Sequence, residues 1–345
     1  MKKVFVICPS ETVTGGIELL HQLVDVLRCS GEDAYISYVG KNKTIPEAYK
    51  KYNIQVSEIS KDLSDAVIVL PEVYFYMLPK FKKANKIVLW WLSVDNFIKD
   101  SCSLSFLFEK KFYNRKLYPM LFFSFLKKII KLFLLRGDLF NTISIRKFRK
   151  YNNAVYACQS QYAVDFCNFY SLKPTYLLSD FINTDFENTK NVKKSDVIIY
   201  NPKKGKRFTE KLISTNKDLT FIPIVNMNRE QVKDLMFKAK VYIDYGNHPG
   251  KDRMPREACL CNCLILTGKD GSAYNSKDIE IPDYYKDEAS VDNINLISEK
   301  IHSCLTNYDE KKPDFNNYHN KILNEKNDFS QQVQLLFNDL LGEQK

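Results

Sequence analysis

VYIDYGNHPGKDRMPREACLCNCLILTGKDGSA, residues Val241 to Ala273, is the stretch whose reading decides the fold. It opens on an apolar run, Val241 to Ile243, of buried-strand type. A turn-rich loop follows, Gly246-Asn247-His248-Pro249-Gly250, and then a helical stretch that carries Glu257. Leu264-Ile265-Leu266 begins a second strand, and Gly268 to Gly271 breaks the chain again. Strand, glycine loop, helix, strand is the βαβ unit of a parallel sheet, whose ligands gather at the carboxyl ends of the strands. A helix starting near Pro255 aims free N–H groups and a positive dipole end at that loop, with Lys251, Arg253 and Arg256 beside it. Such a place suits a diphosphate.

Upstream, Val197 to Tyr200 reads as a strand that ends in Asn201-Pro202-Lys203-Lys204-Gly205-Lys206-Arg207. Four cations around a glycine, just before a helix over Phe208 to Ser214, form a second phosphate-binding corner. Thr220 to Val225 is the next strand and Arg229 to Lys238 the next helix. With Leu264 to Leu266 there are at least four short strands separated by helices, a doubly wound domain. Ser272, in the loop after the last strand, is placed to hold phosphate or sugar hydroxyls. His248 is either a hydrogen-bonding loop residue or a proton donor. Cys259, Cys261 and Cys263 alternate, but a helix turns Cys261 away from the other two and no His stands at ligand spacing, so core packing is expected and no metal site. Amphipathic helices are expected over Asn293 to Leu305 and Asp328 to Leu341.

Gly250, Pro255, Glu257, Ala258 and Cys263-Leu264-Ile265 together resemble the nucleotide-binding segment of retaining GT-B glycosyltransferases of the family-4 type, Glu-Gly-x-x-x-x-Pro-x-Glu-Ala followed by an apolar strand. Lys204-Gly205 resembles the Lys-Gly whose lysine holds the donor diphosphate in that family. Thr14-Gly15-Gly16 resembles the glycine loop that opens its acceptor domain. The resemblance implies an α/β chain of two Rossmann-like doubly wound domains facing a central cleft, a nucleotide diphosphate sugar as donor, no separate cofactor, and a last helix that crosses back to the first domain. It gives Glu257 the ribose hydroxyls. The family's first Glu, which contacts the donor sugar, is replaced by Pro249, and Asp252 or Asp244 is the available carboxylate. The arginine that precedes the family lysine is also replaced, Ile198 and Ile199 standing there, with Arg207 or Arg253 as substitutes.

The amino-terminal half carries the same alternation of strand and helix. Met1 to Ile7 is basic and then apolar, but the apolar run is too short before Pro9 for a signal peptide and reads as a first strand. Thr14-Gly15-Gly16 lets the backbone approach a ligand at the start of the amphipathic stretch Ile17 to Leu27. Ala34 to Val39, Val56 to Ile59 and Ala66 to Leu70 read as short strands or strand edges, Lys86 to Leu92, Ala154 to Ala157 and Thr175 to Leu178 as strands, and Tyr162 to Tyr170 as a helix. Asp95 lies just past a strand end, where it is either a catalytic or acceptor-positioning group or the cap of a helix before Phe97. Asp180 to Ser195 is polar and aperiodic and reads as a linker. The domains expected are 1–182, 183–327, and a returning helix in 328–345, on a length of 345 residues that suits two domains.

Charge is unevenly placed. The chain has a formal net charge of +10, and residues 99–150 alone hold thirteen Lys or Arg against three acids, interleaved with phenylalanines. Lys127, Lys128 and Lys131 interrupt the apolar run Leu117 to Leu135, so a basic, aromatic surface on an anionic membrane is expected rather than a span. An ordinary helical hairpin and a nucleic-acid surface compete, and the aliphatic block Leu132 to Leu135 favours lipid over nucleic acid. Nine cysteines without paired spacing point to reduced thiols and a cytoplasmic chain, peripheral on the inner face of the plasma membrane. The function expected is transfer of a sugar to a membrane-associated glycan or lipid-linked acceptor in bacterial surface polysaccharide synthesis, hexosyl, retaining and metal-independent. The alternatives are a nucleotide-sugar epimerase of the same plan and a non-catalytic basic membrane- or nucleic-acid-binding protein.

Overall fold

The computed structural model describes residues 2–10, 13–100, 122, 123, 126, 145–182, 186 and 192–342. Most of the basic segment 99–150 therefore lies outside the described residues, as do Asn183, Asp185, Asn188 and Lys190 of the expected linker. The chain divides into two compact units, Met1–Asp180 with Phe329–Lys345, and Phe181–Asp328.

The first unit starts with β1 (Lys3–Pro9), α1 (Gly15–Cys29), β2 (Ala34–Val39), β3 (Ala66–Pro71), β4 (Lys86–Trp91) and α2 (Val94–Asp100). It continues with β5 (Ala154–Cys158), α3 (Gln161–Phe169) and β6 (Thr175–Leu177). All six strands run parallel in the order β2-β1-β3-β4-β5-β6. The central strands are continuous apolar runs because a parallel sheet is covered on both faces. β3 and β4 are buried along almost their whole length. α1 starts where the sequence places it: the Thr14 hydroxyl accepts from the Ile17 N–H at 3.4 Å, and Leu19, Leu20, Leu23, Val24 and Leu27 are buried.

Val56 to Ile59 is a strand edge rather than a full strand: Val56 bridges to Ile36 at the edge of β2, and polar residues end the pairing there. Between β3 and β4 the chain forms a 3₁₀ run, Glu72–Phe81, that buries Phe75, Leu78 and Phe81. Pro79 inside it denies a backbone donor to a longer α-helix. Phe75, Phe97 and Phe166 meet Trp91 with ring centroids 4.8, 4.7 and 5.0 Å away, the aromatic centre of this unit's core.

The second unit holds β7 (Ser195–Tyr200), α4 (Lys206–Thr215), β8 (Thr220–Pro223), α5 (Arg229–Lys238) and β9 (Ala239–Asp244). After these come α6 (Arg253–Leu260), β10 (Leu264–Thr267), α7 (Ile294–Thr306) and the start of α8 (Asn316–Leu341). Its four parallel strands lie in the order β10-β9-β7-β8. α5 opens on a capping box in which Asn228 and Gln231 serve each other's backbone N–H.

The expected linker starts where the two units divide, after Asp180, but its described ends are not solvated. Asp180, Phe181 and Ile182 are buried, and Lys194 runs inward, its ammonium donating to the carbonyls of Met236 (3.1 Å), Ala239 (2.7 Å) and Cys261 (2.6 Å). These are carbonyls at the carboxyl ends of α5 and α6, where a cation satisfies acceptors the helices leave open. A lysine-rich run is indistinguishable from a solvated linker by composition alone. The three neighbouring cysteines are all buried, Cys261 included, because α6 ends at Leu260. Asn262 (φ 60°) then turns the chain left-handed and brings Cys263 back into the core. α8 begins at Asn316, twelve residues before the expected Asp328, and its far part belongs to the first unit. There the Gln332 side chain accepts from the Ser179 N–H at 2.7 Å and Asp339 from the Tyr176 hydroxyl at 3.0 Å. No helix among the described residues is long and apolar enough to cross a membrane.

Candidate active site

In the second sheet β8 lies on one side of β7, and β9 with β10 on the other. The winding reverses between β7 and β9, and at such a point the loops leaving the strand ends diverge and leave a crevice for a ligand. The loops here are 201–205 and 245–252, pressed together at two glycines. Gly205 has φ +55°, and a Cβ on it would stand 2.5 Å from the Tyr245 carbonyl oxygen. A Cβ on Gly246 would stand 2.6 Å from the Lys204 Cβ. Only glycine fits either position.

This approach sets Lys204 among the carboxylates. Its ammonium donates to Asp252 and lies 3.6 Å from Asp244, the last residue of β9. His248 stands between the same two carboxylates, Nδ1 at 2.7 Å from Asp252 and Nε2 at 3.5 Å from Asp244. Asp244 also accepts from the Tyr242 hydroxyl (3.0 Å) and the Gly246 N–H (3.1 Å). With two anions and one fixed cation, the cluster is neutral only when His248 carries a proton. Burial works against charge on His248 and Lys204, but Asp244 and Asp252 outweigh it and raise the pKa of both. Burial likewise works to raise Asp252, and His248 and Lys204 overcome it to hold the carboxyl near 2. Ligand atoms of Asp244, His248 and Asp252 lie within 4.8 Å of one another, a donor set able to hold a cation, and the Lys204 ammonium already stands beside two of them.

His248 is completely buried and Lys204 and Asp252 are about one-fifth exposed, so His248 stands behind Asp252, and Asp252 is the more accessible of the two expected catalytic groups. Asp252 sits at the cap position of α6 without capping it, since Lys204 and His248 engage its carboxylate. α6 starts at Arg253, two residues ahead of the expected Pro255, so Pro255 falls in the first turn, where its missing N–H costs little. Arg253 Nε lies 3.8 Å from Glu257 Oε1, one turn along the same helix. The loop after β10 closes on this one: Ser272 donates to the Gly250 carbonyl at 2.6 Å. Gly271, at φ +64°, leaves no room for a Cβ beside the His248 carbonyl. Ser272 is thus a fully buried tie between the two loops.

Lys251 and Arg256 also require correction. Both turn to Glu325 on α8, Lys251 at 2.8 Å and Arg256 at 2.7 Å. Arg207 is exposed on α4 and lines a separate hollow with Phe208, Lys211, Ala289 and Val291. Glu325 has no place in the sequence reading, yet it carried a signal. Tyr318, Ile322, Phe329 and Val333 form the buried stripe of α8, and a carboxylate stands in the middle of it.

In the first unit Gly15 and Gly16 are the first two residues of α1, and a Cβ on Gly16 would be 4.0 Å from Leu92 at the end of β4. The Tyr49 hydroxyl holds this turn, accepting from the Thr14 N–H at 3.1 Å and donating to the Thr14 carbonyl at 3.0 Å. Asp95 is buried under the Tyr162 hydroxyl, which donates to it at 2.7 Å. Asp95 is closed off from solvent, and at the start of α2 the Ser93 hydroxyl accepts from the Asn96 N–H at 3.4 Å.

No protein-family model and no curated protein matches this chain in sequence. In structure it is similar along its whole length to solved proteins. HepE of Anabaena, in complex with UDP-glucose, matches with a TM-score of 0.58 at 12% identity, covering 98% of this chain and 100% of its own. A glycosyltransferase from Rickettsia africae matches with a TM-score of 0.60 at 12% identity and 99% of both chains. WaaG, a glycosyltransferase involved in lipopolysaccharide biosynthesis, matches with a TM-score of 0.54 at 11% identity, covering 98% of this chain and 99% of its own. Two parallel α/β units, each with its first strand inside the sheet, and a last helix that begins in one and ends in the other give this chain the GT-B fold of glycosyltransferases.

Proposed function

We propose that the chain is a metal-independent glycosyltransferase that binds a nucleotide diphosphate sugar at the carboxyl edge of its second sheet and passes the sugar to a membrane-associated glycan or lipid-linked acceptor. The observation that carries this reading is the glycine-to-glycine fit of the loops after β7 and β9, which sets Lys204 beside the start of α6 at the sheet's reversal point. Lys204, Arg253 and the first-turn N–H groups of α6 would stabilise the departing diphosphate as the bond from the sugar's anomeric carbon breaks. Glu257, on the same helix, would hold the ribose hydroxyls, and Asp252 is the carboxylate open to the sugar. The Lys204 ammonium supplies the cation such a leaving group needs, which is the physical support for a metal-independent reaction. Retention of configuration and a hexosyl donor follow from the family resemblance. The membrane acceptor, the peripheral inner-face location and a part in surface polysaccharide synthesis rest on the charge of residues 99–150.

A panel of nucleotide sugars scored by thermal unfolding tests the reading. The true donor should stabilise the chain by about 2.7 kcal/mol at a hundred times its Kd. Glu257→Ala and Lys204→Ala should each abolish the shift. Binding retained in both variants would remove these residues from the donor site.

A further inference from the structure

Glu325 sits at a core position of α8 and is buried to 4% exposure. A lone carboxylate there would carry a desolvation cost of several kcal/mol. Two cations compensate it: Lys251 Nζ lies 2.8 Å from one oxygen and Arg256 Nη1 2.7 Å from the other. Arg256 is itself fully buried, and the rest of its guanidinium faces the loop, Nε donating to the Asp252 carbonyl at 3.2 Å and Nη2 to the Lys251 carbonyl at 3.3 Å. The chain of contacts thus runs from a helix remote in sequence, through one planar fork, to the peptide that carries Asp252. The Asp252 side chain in turn holds Lys204 and His248.

We propose that Glu325 is a positioning residue for the diphosphate site: by clamping Lys251 and Arg256 it fixes the 251–252 backbone, and with it the place of the Lys204 ammonium and the start of α6. The inference rests on the donor-site reading above and gives that site a buried support outside its own loops. Glu325, Lys251 and Arg256 together keep one net positive charge behind the loop, so the support also favours an anion in front of it.

Charge and position act in opposite senses here, which makes the proposal testable. Glu325→Gln keeps the shape and removes a negative charge, so electrostatics alone would tighten anion binding, whereas loss of the clamp weakens it. Affinities for UDP and for inorganic pyrophosphate, which does not depend on the base, are measured by titration calorimetry on the full-length chain. Glu325→Gln should weaken both about tenfold, the effect of misplacing a charge-assisted contact worth roughly 1.4 kcal/mol. Arg256→Lys keeps the charge, loses the fork, and should weaken both as well; it decides the matter if Glu325→Gln does not fold. In a Lys204→Arg background, which keeps a cation of different reach and leaves binding measurable, the Glu325→Gln penalty should shrink, which a general loss of stability would not produce. Unchanged or tighter binding in Glu325→Gln, or an undiminished penalty in the Lys204→Arg background, overturns the proposal. A wild-type chain that binds neither probe removes the donor-site reading itself, a result distinct from binding that survives in the variants.

Discussion

At the scale of single residues the site is held by an exchange of charge that no one group could sustain alone. Buried Asp244 and partly buried Asp252 are tolerated because Lys204 and His248 stand between them, and the pH dependence follows from that. His248 has a raised folded-state pKa, so its contribution is fully present below the ordinary imidazole value of 6.5 and is lost as the pH rises through the raised one. Asp252, held near 2, contributes above its ordinary value of 3.8 and loses that contribution as the pH falls toward 2. Denaturant unfolding across pH should therefore show stability declining on the alkaline side of imidazole titration. His248→Gln should flatten that limb and shrink the acid limb too, because His248 is one of the two cations that hold Asp252 down; an unaltered alkaline limb would place the titrating group elsewhere. Gly205→Ala forces a side chain into left-handed backbone, a conformation that costs about 1–3 kcal/mol before any clash. The clash with the Tyr245 carbonyl adds to it, and the midpoint of chemical denaturation should fall accordingly.

At the scale of elements, the ends of helices explain more than their middles. Lys194 donates to carbonyls at the ends of α5 and α6, so Lys194→Met, which keeps the stem and removes the donor, should destabilise the chain by about 2–3 kcal/mol. A thermal unfolding curve unmoved by this change would mean that water serves those carbonyls equally well. The contrast between Lys194 and the strands marks what a sequence makes legible. Ala66–Leu70, Ile87–Trp91 and Ala154–Cys158 are unbroken apolar runs, and apolar runs have one common fate in a parallel sheet. Arg229–Lys238 is legible because Asn228 caps it and Ala239 starts a strand at once. α8 reads short because its first turn is Asn316, Asn317, Tyr318 and His319, poor helix formers that tertiary packing of Tyr318 and Ile322 overrides. Gly205 and Gly246, which let the loops after β7 and β9 meet, were readable as turn residues just past the strand ends. Which cations face the crevice was not, because Lys251 and Arg256 are claimed by Glu325, about seventy residues away in sequence.

At the scale of the whole molecule, the GT-B fold is carried without sequence likeness strong enough to match a family model, so activity has to be argued from the site. The uneven charge gives one prediction that involves the complete chain. Residues 99–150 carry a positive excess equal to that of the entire protein, and phosphatidylglycerol vesicles should sediment the chain at low salt while phosphatidylcholine vesicles leave it in solution. Raising the salt from 0.1 M, where charges are screened over about 10 Å, to 1 M, where the length is about 3 Å, should release most of it. Equal sedimentation by both lipids would take the anionic membrane out of the account.

The central claim is that a nucleotide sugar's diphosphate lies where the loops after β7 and β9 meet the start of α6. Amide hydrogen exchange on the full-length chain, with and without a saturating nucleotide sugar, tests it directly. Residues 201–210 and 246–257 should both slow in exchange when the donor binds, and Lys204→Ala should erase the protection in both. A donor that binds while these two segments exchange at unchanged rates would contradict the placement of the site.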